Sequence, residues 1–122
     1  MIRSLVLALG IVAAPALAQN QPESVYASFH RAGLAGDYDG MLKYGSAAHA
    51  NDLPAAERKR LLRVLARLLP PKYAVVEKTV DEGGKRAVLR LRGTPPQAVL
   101  GTITLIKEKG EWKVDEANWA ER

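Results

Sequence analysis

Two consecutive prolines, Pro70 and Pro71, divide the chain into halves of different periodicity. Neither can donate a backbone hydrogen bond, and the residue ahead of each is steered away from helical geometry. A helix arriving from the N-terminal side must therefore stop there, and a regular strand can begin only beyond. Before the pair, apolar residues recur every three or four positions; after it, they alternate with charged ones or run together with branched ones. The break predicts an α+β fold, helices first and an antiparallel sheet after them.

Three helices fit ahead of the break. Pro22 can open the first, because its missing amide would be unpaired there anyway. Val25, Phe29 and Ala32 then form a stripe that Gly33 and Gly36 are expected to end. Asp37 reads as the N-cap of a short second helix through Met41, Leu42 and Tyr44, with Asp39 as a first-turn charge and Gly45 closing it. In the third, after Asn51-Asp52-Leu53-Pro54, Leu61, Leu62, Leu65, Leu68 and Leu69 fall on one stripe and Arg60, Arg63 and Arg67 fall opposite.

Four strands fit behind it. Tyr73 to Val80 is rich in branched residues, and Gly83-Gly84 permits a reversal. Ala87, Leu89 and Leu91 alternate with Arg86, Arg90 and Arg92, so one face is apolar and the other wet. A proline-containing connection leads to Val99 to Ile106, and Lys109-Gly110 turns the chain into a fourth strand where Trp112 and Val114 alternate with Glu111, Lys113 and Asp115. Three N-terminal helices packed on a four-stranded antiparallel sheet is the expected architecture.

The first 18 residues stand apart. Arg3 supplies one positive charge, Leu5 to Ala14 is an apolar run, and Ala16 and Ala18 are the small residues a signal peptidase admits before Gln19. Leu5 to Ala18 is 14 residues, short of the roughly 20 that a helix needs to span a bilayer core. Residues 1–18 are expected to be a cleavable signal peptide and residues 19–122 a single domain, with no transmembrane segment after cleavage. The Ala-x-Ala site in so short a signal suggests a bacterium. The periplasm is then the expected address, or secretion where there is a single membrane.

The chain has no Cys, which excludes thiolate chemistry and Cys-based metal sites and leaves stability to packing and hydrogen bonding. Residues 57–92 carry eleven Lys or Arg against four Asp or Glu. A basic surface formed by Arg60, Arg63, Arg67, Arg86, Arg90 and Arg92 would suit an acidic partner. Export directs that reading toward an acidic envelope protein, lipopolysaccharide or anionic lipid headgroups. Nucleic acid is not expected, because no aromatics are interleaved with the basic residues. His30 and His49 without a cluster of acids make no metal motif, and no cofactor is expected.

Phe29-His30-Arg31-Ala32 in the first helix, Gly36-Asp37-Tyr38-Asp39 opening the second and the terminal run Gly110-Glu111-Trp112-Lys113-Val114-Asp115-Glu116-Ala117-Asn118-Trp119 resemble the nuclear-transport-factor-2-like superfamily, a cystatin-like α+β cone. They look like pieces of its small exported bacterial members. The resemblance implies a curved sheet around the first helix and a cavity at the open end of the cone. Tyr26, Phe29, His30, Tyr44, Trp112 and Trp119 are the pocket candidates, with Trp112 in the inward row and Trp119 the freer of the two tryptophans. The superfamily spans enzymes and binders. A non-catalytic binding or accessory domain, taking a small hydrophobic ligand or an acidic partner, is the preferred expectation. A small isomerase or cyclase, in which His30 or Asp37 moves a proton, is the alternative; Asp39, Tyr26 and Tyr44 are its further candidates. Relatives that dimerise do so through the outer sheet face, where Arg86, Arg90 and Arg92 would crowd like charge, so a monomer is expected. His49, in a polar connection, is expected to be exposed.

Overall fold

Helix α1 spans Pro22–Ala35 in a computed structural model that describes residues 21–47, 53–96 and 98–121, with residue 121 in its backbone only. The expected signal peptide, the cleavage residues Ala16, Ala18 and Gln19, and His49 lie outside the described residues. Pro22 occupies the first turn, and Gly36 caps the far end at φ 72°, donating to the carbonyls of Ala32 and Gly33. That left-handed geometry suits glycine because it has no Cβ to clash. Gly33 does not end the helix as expected. It lies inside α1, where a Cβ would stand 3.0 Å from Leu69 Cδ1, so its bareness admits the chain leaving the third helix.

Helix α2, Tyr38–Tyr44, begins as its sequence predicts: the Asp37 carboxylate accepts from the Gly40 amide at 3.0 Å. Helix α3, Ala55–Leu68, stops at the proline pair. Its leucine stripe behaves differently from that of an ordinary core helix, since no residue of α3 is fully buried. Leu61, Leu62 and Leu65 are half-buried, and Val64 and Leu68 are exposed.

The sheet comprises β1 (Tyr73–Val80), β2 (Arg86–Gly93), β3 (Val99–Glu108) and β4 (Glu111–Glu121), antiparallel throughout and in sequence order. Lys109 and Gly110, at φ 53° and 82°, make the reversal between β3 and β4, the two-residue geometry that matches strand twist. Register sets Ala87 opposite Leu105, Leu89 opposite Ile103 and Leu91 opposite Gly101. These five side-chain-bearing residues are 0–1% exposed and form the centre of the core with Val25, Tyr26, Leu69, Trp112, Val114 and Trp119. Burying each large aliphatic side chain contributes about 1.5–3 kcal/mol.

Bulges interrupt β1 between Val75 and Glu77 and the β3–β4 ladder at Thr104/Leu105, and such irregularities bend and twist a sheet. β4 continues beyond the expected alternation to Glu121, which makes Trp119 a strand residue, 8% exposed and opposite Gly101. It is as buried as Trp112, a correction to its expected freedom. β1 differs too: it lies at the sheet edge and is exposed throughout apart from Tyr73, so its valines are left unburied.

Candidate functional site

Three inward-facing side chains form a closed polar chain inside an otherwise apolar core. His30 lies on α1, one turn after Tyr26, so the two rings share a helix face. The ring of His30 is 3% exposed and contacts the Pro70 carbonyl through Nε2 at 2.7 Å and the Tyr26 hydroxyl through Nδ1 at 2.9 Å. A carbonyl can only accept, so Nε2 carries the ring proton and Nδ1 accepts from the Tyr26 O–H. Trp119 Nε1 then donates to the Tyr26 oxygen at 2.9 Å. Every donor in the chain has an acceptor.

Burial holds the His30 pKa below its ordinary value, against the opposing pull of its bond to Pro70. Burial also drives the Tyr26 phenol far upward, with the Trp119 bond acting in the other direction. Tyr73, edge-on to His30 at 4.8 Å between ring centres, is likewise raised by burial. The group is therefore neutral at ordinary pH. A neutral imidazole is the right form for a general base, but here its accepting nitrogen is engaged by Tyr26.

In front of this chain lies a cavity of about 310 Å³. Tyr26 and Phe29 of α1, Met41 and Leu42 of α2, Leu61, Leu65 and Leu68 of α3, and Val114, Ala117 and Trp119 of β4 supply most of its wall. The leucine stripe of α3 faces this space, which is why the helix buries so little. The helix is tied at its start by Arg58, whose Nε donates to the Leu53 carbonyl at 2.9 Å and whose guanidinium stands 5.1 Å from the Tyr38 ring centre. At its foot, Leu69 is buried and Pro70 receives His30. Asp115, at the β4 bulge, borders the cavity and accepts from Ser46 Oγ at 2.8 Å.

Of the six pocket candidates, Tyr26, Phe29 and Trp119 border this cavity. His30 stands behind Tyr26, Tyr44 packs against the core, and Trp112 is a core residue with Lys107 5.3 Å from its ring centre. Asp37 is exposed and engaged in capping α2; Asp39 is exposed in its first turn. The leucines of α3 were visible as an apolar stripe without any sign that they face a space. Helical periodicity reports which face turns inward, and says nothing of whether that face meets atoms or a cavity.

The basic residues divide. Arg60, Arg63 and Arg67 are exposed on the side of α3 away from its leucines, and Arg86, Arg90 and Arg92 are exposed on the outer face of β2, with Arg90 3.8 Å from Glu77 of β1. Since α1 and the cavity lie on the inner face, the sheet separates the two sets. Among the described residues no group of His, Asp or Glu could hold a metal ion, and no helix is long and apolar enough to cross a membrane.

No family model matches the chain, and no curated protein does. Solved structures do. A de novo designed protein with a curved β-sheet superposes with a TM-score of 0.54 at 16% identity, covering 82% of this chain and 99% of its own. An NTF-2-like protein of unknown function from Silicibacter pomeroyi gives 0.55 at 13% identity, covering 82% and 92%. A SEC-C motif containing protein from Rhodopseudomonas palustris, solved in solution, gives 0.54 at 19% identity, covering 82% and 79%. At these identities the likeness is one of fold: helices followed by a curved antiparallel sheet, shared with an NTF-2-like protein.

Proposed function

We propose, with the shared NTF-2-like fold as premise, that this chain is an exported, non-catalytic binding domain that holds a small, largely apolar ligand at the open end of a cone formed by the sheet and α3. The signal-like opening of the sequence supports a periplasmic or secreted address. One observation carries the binding reading: a 310 Å³ cavity walled by leucine, methionine and aromatic side chains, with the polar atoms of Tyr26 and Trp119 satisfied within the protein. Taking the share of a liquid water, about 30 Å³, as an upper limit for a covalently bonded atom, the space accommodates upwards of roughly ten non-hydrogen atoms, a ligand of about two or three rings. It lies at the lower end of the usual range for small-molecule pockets. Met41 and the unpacked leucines of α3 give a wall that adapts to shape.

The isomerase or cyclase reading has less support from the same geometry. Proton transfer next to a carbonyl needs a base within hydrogen-bond reach of the substrate. His30 is not on the wall, and Asp37 is on the surface at a helix start. Two carboxylates do border the cavity: Asp115, with a hydroxyl already donated to it, and Glu116, which is exposed to solvent.

The test fills the cavity from α3. The neutral dye N-phenyl-1-naphthylamine is expected to bind the wild-type chain with enhanced emission, and Leu65→Trp to weaken it about tenfold or more, the equivalent of about 1.4 kcal/mol. The circular dichroism spectrum is expected to stay that of the folded protein. A wild-type chain that does not bind the dye, or a Leu65→Trp variant that binds it equally well, overturns the proposal. The mass of the exported protein tests the address: cleavage before Gln19 is the expected result.

A further inference from the structure

We infer that His30 is a proton-operated latch on this cavity: neutral, it holds Tyr26, Trp119 and the foot of α3 in the binding arrangement, and protonated, it releases them and the ligand together. The inference rests on the cavity being a ligand site and concerns how that site is controlled.

The geometry leaves little slack. One imidazole bridges three elements: Tyr26 on α1 through Nδ1, Trp119 on β4 through the Tyr26 oxygen, and the Pro70 carbonyl, which ends α3, through Nε2. Two of the four residues in that chain, Tyr26 and Trp119, are cavity wall. A second proton on the ring must go to Nδ1, the nitrogen that accepts from Tyr26. Nδ1–H and Trp119 Nε1–H then converge on one phenol oxygen, and the Tyr26 hydroxyl hydrogen is turned out of its bond. Tyr26 is 1% exposed, and its ring centre lies 6.0 and 5.7 Å from those of Phe29 and Tyr73. A buried donor left unpaired in such surroundings is costly, and the folded chain relieves it by moving the residues concerned.

Burial among neutral groups opposes protonation of His30, and the Pro70 carbonyl pulls the other way without outweighing it. Tyr26 from α1, Tyr73 from β1 and Trp119 from β4 are neutral, and the Pro70 carbonyl comes from the joint after α3. Arg31, next along α1 and near enough to act on the Tyr73 phenol, adds a positive charge. Among the described residues no carboxylate bonds to the ring. The lowered pKa agrees with this setting, and it fixes the sign. The ring is neutral and the latch closed above the ordinary histidine value of about 6.5. The latch opens as the pH falls through the lower value of the folded protein. A ligand that binds only the latched form must in turn hold the ring neutral, because the coupling between the two sites is reciprocal.

The experiment follows N-phenyl-1-naphthylamine affinity from about pH 8 to about pH 5 for the wild-type chain and for His30→Gln, whose amide offers a donor and an acceptor but no titrating proton. Wild-type affinity is expected to fall about tenfold across the range, a size ordinary for coupled sites, while the variant holds steady. In parallel, ¹⁵N NMR of the wild-type ring is expected to show the Nε2–H tautomer near neutral pH. Its titration midpoint should coincide with the loss of affinity, and the Trp119 indole N–H signal should move with it. A pH-independent wild-type affinity, the same decline in His30→Gln, or a ring that titrates apart from the affinity change overturns the latch. Dye binding at no pH overturns the cavity reading instead; the latch then stands if the indole signal follows the His30 titration and falls if it does not. Should His30→Gln fail to fold, the NMR comparison on wild type decides alone.

Discussion

Gly101 lies opposite Trp119 across the β3–β4 ladder, and a Cβ on it would stand 2.8 Å from three carbons of the indole ring. The indole therefore lies flat against bare backbone, and that position brings its Nε1 to the Tyr26 oxygen. Gly101→Ala is expected to push the ring away, costing about 1–3 kcal/mol in overpacking. Denaturant unfolding measures that loss, and a red shift in tryptophan emission reports the displaced indole; an unchanged midpoint and spectrum would show that the ring has room. A glycine inside a strand pattern does signal close approach of something. Which residue approaches depends on register, and register was not legible while the fourth strand ended at Asp115. The His30 contacts were equally out of sight, since Pro70 is 40 residues away in sequence. Asp37, by contrast, was readable because a cap is a local bond, three residues long.

At the scale of elements, α3 and β2 carry similar leucines in different physical settings. Leu89 on β2 is 0% exposed in the centre of the core, whereas Leu65 on α3 is half-buried on a cavity wall. Leu89→Ala leaves a new void and is expected to cost about 2–5 kcal/mol. Leu65→Ala enlarges a space that already exists, so its cost should fall near or below the lower end of that range. Paired denaturation curves check this, and equal losses would mean that the α3 stripe is packed as tightly as the sheet. The helix, its stop at the prolines and its apolar side were all evident from periodicity. Its role as a wall was not, because amphipathicity is the same whether the apolar face meets a core or a cavity. β1 shows the converse limit: branched residues announce a strand, but Val75, Val76 and Val80 are 44, 51 and 42% exposed on an edge that α1 meets at its start, through Glu23 and Lys78, without covering the valines.

For the whole molecule, the run from residue 57 to residue 92 is one basic stretch along the chain and two separate faces in space. The period-two alternation of β2 turns Arg86, Arg90 and Arg92 outward because Ala87, Leu89 and Leu91 turn inward to the core. The 3.6-residue period of α3 turns Arg60, Arg63 and Arg67 away from the cavity on the other side of the sheet. A flat anionic surface can therefore engage one set at a time, a division that counting charges along the sequence does not reveal. It also bears on self-association. Leu100 at 38% exposure and the half-buried Val88 and Ile106 give the outer face some apolar surface. A two-fold dimer through that face would bring the β2 arginines of both copies into one interface, where like charges oppose each other. Glu77 offsets Arg90 in part from the adjacent strand and Asp81, just past β1, stands near enough to act on Arg86, whereas register places only Ala74 opposite Arg92. The chain is thus expected to sediment as a monomer at low ionic strength, where screening reaches only beyond about 30 Å at 0.01 M salt. If any outer-face dimer forms, it should grow as added salt shortens that length. A stable dimer at low salt that dissociates when salt is added would show attraction where this charge arrangement requires repulsion.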